Sequence, residues 1–276
     1  MRFVDVFSDV PFRGNALAVV HDADRMSDEE MAALARWTNL SETTFLCTPT
    51  VPGADYRVRI WTTGGELPFA GHPTLGSAHA WLEAGGRPAS GATLVQQCAA
   101  GLVEVRRGDL LAFAAPPLVR SGPVHPDDVA RVVAALRLDP VDVVDLAWVD
   151  NGPGWVGVVV RHPDIVLAAD PDPVRSLGLK IGLVAVYPPG LRDDGVAAEV
   201  RAFYSDDRHF GEDPVTGSLN AGLAQWLVPS GRLPRSYVAA QGTAIGRLGR
   251  VHVDVVDDTV WVGGATRTLV TGRRSA

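Results

Sequence analysis

Apolar and polar positions along this chain alternate in short runs, broken by a few longer apolar stretches. Runs at residues 2–7, 15–20, 43–48, 56–62, 93–97, 101–107 and 110–114 have the period-two pattern or the β-branched content of strands. Residues 28–37 repeat their apolar positions at helical spacing behind a capping box, Ser27-Asp28-Glu29-Glu30. Residues 73–84 are apolar nearly all round, as in a helix buried on every side. Ala115-Pro116-Pro117 then breaks the chain, and the pattern starts again. Pro126-Asp127-Asp128 opens a helix. Strands follow at 143–150, 155–161, 181–187 and 196–203, an apolar helix at 214–228, and short strands at 236–240, 250–255, 259–263 and 266–270. Pro188-Pro189-Gly190 to Asp193-Asp194-Gly195 reads as an exposed turn. Many strands around one strongly apolar helix in each half predict an α+β fold rather than an alternating βαβ one. The expected halves are 1–117 and 118–276, with the last strand, about 265–276, a candidate to return to the first.

One word is written twice, as His72-Pro73-Thr74-Leu75-Gly76-Ser77-Ala78-His79-Ala80-Trp81-Leu82 and as Asp213-Pro214-Val215-Thr216-Gly217-Ser218-Leu219-Asn220-Ala221-Gly222-Leu223. Proline suits a helix's first turn and holds the residue before it extended, which puts His72 and Asp213 at N-cap positions. Free N–H groups and the dipole make such helix starts anion sites. Val58-Arg59-Ile60-Trp61 and Val200-Arg201-Ala202-Phe203 precede the two copies, and Gln97-Cys98 and Gln241-Gly242 follow them, in the same order. A repeat this long means two homologous domains, not a solenoid. Taken singly, each signal also has a plain reading: Pro-x-x-Gly-Ser starts many helices, a lone histidine is more often a core or capping residue, and a lone aspartate before proline is an N-cap.

Composition narrows the class. A net charge of −7 argues against nucleic acid or an anionic membrane as partner. The longest uncharged apolar runs, such as 155–160, are too short to span a bilayer, and Met1-Arg2-Phe3-Val4-Asp5 has no signal-peptide core. Two cysteines, Cys47 and Cys98, make no disulfide framework, so a cytoplasmic setting is expected. No histidine spacing fits a metal site. Neither Gly64-Gly65 nor Gly152-Pro153-Gly154 fits a phosphate loop. Asp150-Asn151-Gly152 reads either as the second half's counterpart of Arg13-Gly14-Asn15 or as a plain turn.

Several segments together carry a family resemblance: Val4-Asp5-Val6-Phe7 through Phe12-Arg13-Gly14-Asn15-Ala16-Leu17-Ala18-Val19-Val20, Asn39-Leu40-Ser41-Glu42-Thr43-Thr44-Phe45, Glu66-Leu67-Pro68-Phe69-Ala70-Gly71-His72-Pro73-Thr74-Leu75-Gly76, Gly211-Glu212-Asp213-Pro214-Val215-Thr216-Gly217-Ser218, and Gln241-Gly242 with Gly246-Arg247-Leu248-Gly249. In this order they resemble the PhzF-type phenazine-biosynthesis isomerases of the diaminopimelate-epimerase-like superfamily. Ala16 stands where that family usually has proline, and Thr63-Gly64 where Thr-Pro is common. The resemblance implies two pseudo-symmetric half-domains, each a curled, mostly antiparallel sheet around a central helix, with the active site in a cleft between them. It implies a homodimer that uses no metal and no organic cofactor.

By the same resemblance Glu42 moves the proton, and His72, Asp213 and Ser218 complete the catalytic set. Gly71, Pro73, Thr216, Gly217 and Asn15 are the implied substrate-binding residues. A proton shift needs a base to take a C–H proton and an acid to return it elsewhere, with pKa tuned by burial. Without the resemblance Glu42 reads as a surface glutamate at a strand start. The epimerases and racemases of the superfamily use one thiol per half at these helix starts. Here those places hold Ala70-Gly71-His72 and Asp213, which argues against a two-thiol racemase. The expected function is an isomerase that moves a proton within a small carboxylated metabolite, as in trans-2,3-dihydro-3-hydroxyanthranilate isomerisation. The alternatives are a double-bond isomerase or epimerase on another ring or amino-acid derivative, and a non-catalytic small-molecule binder on the same fold. His72 and Asp213 are expected to begin equivalent helices facing one cleft, with Glu42 within about 10 Å of them.

Overall fold

The computed structural model describes residues 1–188, 190–205 and 210–273. The turn expected at 188–195 therefore includes one residue, Pro189, outside the described ones, and the last three of the expected final segment also lie outside them. The chain divides into two compact units, Met1–Ala114 with the segment from Gly263 onward, and Ala115–Val262.

The first unit contains β1 (Arg2–Val6), β2 (Asn15–Val20), α1 (Asp28–Thr38), β3 (Glu42–Cys47), β4 (Tyr56–Trp61), β5 (Glu66–Leu67), α2 (Gly71–Glu83), β6 (Thr93–Cys98), β7 (Gly101–Arg107) and β8 (Leu111–Ala114). β1 pairs antiparallel with β2, β2 parallel with β3, β3 antiparallel with β4, β4 parallel with β6, and β6 antiparallel with β7. β7 continues antiparallel to β8. The predicted capping box closes the start of α1, with Ser27 and Glu30 exchanging side-chain and backbone bonds. α2 is buried on almost every side from Gly71 to Ala80 and packs on β1, β2, β3, β4, β6 and β8. Gly76 lets it approach closely: a Cβ there would run into Leu17 of β2 and Val6 of β1. On the opposite face of the sheet, Met31 and Ala35 of α1 pack against Phe45, Cys47 and Trp61.

The second unit contains β9 (Arg120–Pro123), α3 (Pro126–Leu136), β10 (Val143–Asp150), β11 (Val156–Val160), α4 (Pro163–Ala168), β12 (Lys180–Val186), β13 (Val196–Ser205), β14 (Phe210–Asp213), α5 (Gly217–Leu227), β15 (Ser236–Gln241), β16 (Gly249–Val256) and β17 (Thr259–Gly264). Its pairings repeat the first unit's in order: β10 with β11 antiparallel, β11 with β12 parallel, β12 with β13 antiparallel, β13 with β15 parallel, β15 with β16 antiparallel. α5 takes the central place and packs on β10 and β16. Gly222 fits α5 to β10 because a Cβ would overlap the Val149 carbonyl oxygen. The last strand, β18 (Thr266–Thr271), pairs with β1. This is the α+β architecture expected, with a mostly antiparallel sheet around one apolar helix in each unit.

The helix starts differ from expectation. α2 begins at Gly71 with Ala70 as N-cap, which places His72 inside the first turn. α5 begins at Gly217 with Thr216 as N-cap, and Asp213 is the last residue of β14. His72 and Asp213 are therefore not equivalent, and neither is an N-cap. The units align through their N-caps: Ala70 with Thr216, Gly71 with Gly217, His72 with Ser218, Gly76 with Gly222. The ion pairs agree. Arg59 grips Glu66 with two bonds of 2.7 and 2.6 Å, and Arg201 grips Glu212 with two of 3.0 and 2.7 Å.

The repeated word is thus out of register with the repeated structure. In the first unit Gly76 and Ser77 lie within α2, while in the second Gly217 and Ser218 open α5. The shift arises because Pro214–Thr216 is held as a turn by a buried side chain, Gln241. Its amide oxygen accepts from the Thr216 N–H (3.0 Å) and from Asn220 Nδ2 (2.9 Å). Its Nε2 donates to the Asp213 carbonyl (3.0 Å) and to Thr216 Oγ1 (2.9 Å). The first unit's counterpart is Gln96, not the Gln97 suggested by the sequence. Gln96 is fully buried and bonds Thr74 Oγ1 (3.0 Å) and the Tyr56 hydroxyl (3.1 Å), whereas Gln97 faces Thr50.

Candidate active site

β3 opens with Glu42, and α2 carries His72 in its first turn. The β2–α1–β3 crossover returns the chain so that Leu17 and Glu42 are neighbours in register. Glu42 Oε2 and His72 Nε2 stand 3.3 Å apart, the histidine 4% and the carboxylate 15% exposed. The approach is not an aligned hydrogen bond. On the other edge of the imidazole, Asn15 Nδ2 lies 3.3 Å from Nδ1. An amide NH₂ only donates, so Nδ1 accepts and the ring's proton sits on Nε2, facing Glu42. Burial pushes the His72 imidazole down to about 3, so the ring is neutral at pH 7.

Gly71 and Pro73 flank His72 in the same turn. The N-cap Ala70 offers no side-chain oxygen, so the N–H groups of Gly71 and His72 are left at the helix start, while Pro73 has none to give. The structure thus brings together four of the expected residues, Glu42, His72, Gly71 and Asn15, around one imidazole, with Pro73 beside them.

The second unit gathers the others. Asp213 ends β14, and its Oδ2 accepts a 2.6 Å bond from Thr216 Oγ1. Gln241 donates to that same Thr216 oxygen, so the threonine hydrogen is committed to Asp213 and orients its carboxyl. Thr216, Gly217 and Ser218 form the start of α5, again with no side-chain cap. Ser218 Oγ accepts from Trp155 Nε1 (3.1 Å), and its carbonyl accepts from Asn151 Nδ2 (2.8 Å). Asn151 sits in the β10–β11 hairpin, whose loop is closed by Asp150 accepting the Gly152 and Gly154 N–H groups. Asn151 and Asn15 thus serve corresponding helix starts: one bonds Ser218, the other His72. Trp155 is a contact that the sequence reading missed. Its only signal was an aromatic residue just beyond a glycine-rich turn.

Cys47 and Cys98 are buried in β3 and β6, with both thiols pushed up by burial, and neither helix start carries a thiol. Among the described residues no three or more His, Cys, Asp or Glu side chains group as metal ligands. Among them, too, no helix is long and apolar enough to cross a membrane.

Known proteins resemble this chain in sequence and in fold over nearly its whole length. An Enterococcus faecalis protein of the phenazine biosynthesis PhzF family superposes with a TM-score of 0.78 at 23% identity, covering 98% of this chain and 96% of that one. The Schizosaccharomyces pombe protein called antisense-enhancing sequence 1 is 34% identical over 98% of this chain and 96% of its own. Trans-2,3-dihydro-3-hydroxyanthranilate isomerase of Pseudomonas aeruginosa is 51% identical over 75 residues, 27% of each chain. Other near full-length relatives carry the name uncharacterized isomerase. The sequence profile described as "Phenazine biosynthesis-like protein" matches residues 4–274, and the chain belongs to that family of isomerases, PhzC-PhzF.

Proposed function

We propose that this protein is an acid–base isomerase that moves a proton within a small carboxylated metabolite, using neither metal nor organic cofactor; one relative carries the name trans-2,3-dihydro-3-hydroxyanthranilate isomerase. The observation that carries the reading is the Glu42–His72 pair, 3.3 Å apart with the ring almost fully buried. Keeping a carboxylate against a neutral, tautomer-fixed imidazole away from water costs stability, and such arrangements concentrate at reacting centres.

In this reading Glu42 takes a proton from one carbon of the bound substrate and returns it to another. The His72 Nε2–H steadies the carboxylate while it is charged and donates to the substrate oxygen that gains charge as the C–H bond breaks. The N–H groups of Gly71 and His72 stabilise the substrate's carboxylate or the developing enolate. Pro73 fixes the turn that presents them. Asp213 and Ser218 serve the same reaction by holding or relaying protons at the substituents, with Thr216 orienting Asp213 and Gly217 adding a helix-start N–H. A double-bond shift or an epimerisation on another ring or amino-acid derivative would use the same groups. The two-thiol version of epimerisation would not, because both helix starts lack cysteine. A homodimeric assembly and a cytoplasmic setting belong to the same proposal.

The test is uptake of solvent deuterium into candidate carboxylates, trans-2,3-dihydro-3-hydroxyanthranilate first. Glu42→Gln keeps shape and hydrogen bonding but removes the base, so exchange should fall at least about a hundredfold. Glu66→Gln, in an exposed pair with Arg59, should cost far less. Exchange retained in Glu42→Gln but lost in Asp213→Asn would move the base to Asp213. Normal exchange in both variants would overturn the assignment, and binding without exchange in the unmodified protein would leave the non-catalytic binder.

A further inference from the structure

The start of α5 is wired more tightly than the proton-transfer reading requires. The Trp155 indole N–H can only donate, and it donates to Ser218 Oγ at 3.1 Å. The serine oxygen is therefore an acceptor in that bond, and its own hydrogen remains available to donate elsewhere. It does not go to the neighbouring Asn151. That side chain's Nδ2 is spent on the Ser218 carbonyl at 2.8 Å. Its Oδ1 is buried, on a residue only 8% exposed, and has no hydrogen-bond partner among the described residues. Leaving a buried amide oxygen without a donor is unfavourable, and a ligand N–H or O–H would satisfy it. Trp155 is itself 4% exposed, and its backbone carbonyl accepts from the Val149 N–H at 3.0 Å, so the indole is held by the hairpin.

We propose that Trp155 and Asn151 are positioning residues that give the α5 start a fixed polarity. Trp155 turns Ser218 into a hydrogen-bond donor toward a substrate oxygen. Asn151 holds the turn and presents Oδ1 as the acceptor for an N–H or O–H group next to that oxygen. The assignment of Ser218 to substrate rests on the isomerase reading above, but the wiring is tested through binding alone.

The test is a double-mutant cycle with 2-aminobenzoate as probe and benzoate as the analogue lacking the neighbouring donor, with affinities measured by calorimetry on folded full-length protein. Ser218→Ala should weaken 2-aminobenzoate about tenfold, and Trp155→Phe, which removes the indole donor along with part of the ring's bulk, roughly three- to tenfold. If Trp155 acts through Ser218, the double variant should match Ser218→Ala within about a factor of two. Benzoate should bind the unmodified protein more weakly than 2-aminobenzoate, and Asn151→Ala should erase that difference.

Multiplying effects of the two substitutions, or no effect of Trp155→Phe, would overturn the Trp155 role. Equal affinities for the two probes, or no binding of either, would overturn the Asn151 role. If Trp155→Phe does not fold, the indole ¹⁵N–H resonance of Trp155 decides instead. It should shift on adding 2-aminobenzoate in the unmodified protein and stay fixed in Ser218→Ala, and an unresponsive resonance in the unmodified protein refutes the coupling. Loss of deuterium exchange with an intact cycle would sink the isomerase reading and spare this one. Exchange with an additive cycle would do the reverse.

Discussion

Replacing Gln241 by leucine should be among the most damaging single changes in the second unit, although Gln241 carries no charge and does no chemistry in the proposed reaction. Leucine fills about the same space and removes every polar atom. Four hydrogen bonds go with it: those from the Thr216 N–H and Asn220 Nδ2 to the amide oxygen, and those from Nε2 to the Asp213 carbonyl and Thr216 Oγ1. At about 1 kcal/mol net for each neutral bond the loss is about 4 kcal/mol, and groups left buried without partners add to it. The first unit supplies an internal scale. Gln96 makes two such bonds, to Thr74 and Tyr56, so Gln96→Leu should cost about 2 kcal/mol, half as much. Urea unfolding followed by circular dichroism gives both numbers. A loss below about 1 kcal/mol for Gln241→Leu would refute the idea that this side chain holds the turn before α5. A surviving fold with unchanged Asp213 function would refute its link to the site. The link runs from Gln241 Nε2 to Thr216 Oγ1 and on to Asp213 Oδ2, each donor committed by the one before it.

Two further outcomes follow from the site. Burial holds His72 at about 3 in the folded chain against an ordinary value near 6.5, so the unfolded chain binds the proton more readily. The stability conferred by the neutral ring is complete above pH 6.5 and is lost as pH falls toward 3. Between pH 7 and 5 the protein should lose up to about 2 kcal/mol more than His72→Gln, and equal losses in paired urea titrations would show that the ring is not held neutral. Dialysis against a chelator should leave deuterium exchange unchanged; exchange lost and then restored by a divalent ion would refute the cofactor-free reading.

Most elements were legible because their signals are local. Ser27 and Glu30 close the start of α1 by a reciprocal bond between near neighbours, and alternation gave β4, β6 and β7 almost to the residue. What escaped were α4, a six-residue helix with a local start at His162-Pro163, and several elements defined by distant partners. β5 and β14 exist because each lies against a longer strand, β4 or β13, and brings a glutamate to its arginine. β9 is a four-residue strand paired with β10. None of these short runs has a periodicity of its own to read. The Glu42–His72 pair was reachable through the family resemblance and not through spacing. Thirty residues separate its members in sequence, and only the parallel pairing of β2 with β3, together with α2 packed on both, makes them neighbours.

The two copies of Pro-x-x-Gly-Ser show how identity of letters can mislead about identity of place. A proline in a helix's first turn is a sound rule when nothing else claims the backbone around it, and α2 obeys it, with Pro73 in its first turn. Around Pro214 the claim comes from elsewhere. Gln241 reaches in from β15 and takes the Thr216 N–H and the Asp213 carbonyl, so the chain satisfies its polar groups as a turn and becomes helical only at Gly217. That displacement carries the chemical difference between the units. It puts a histidine in the first turn of one helix and a serine in the first turn of the other, and it leaves Asp213 outside the helix, oriented by Thr216. The two helix starts thereby carry unlike sets of groups. One has a neutral imidazole 3.3 Å from the Glu42 carboxylate, and the other a hydroxyl fixed by an indole, with Asp213 oriented by Thr216 just ahead of the turn.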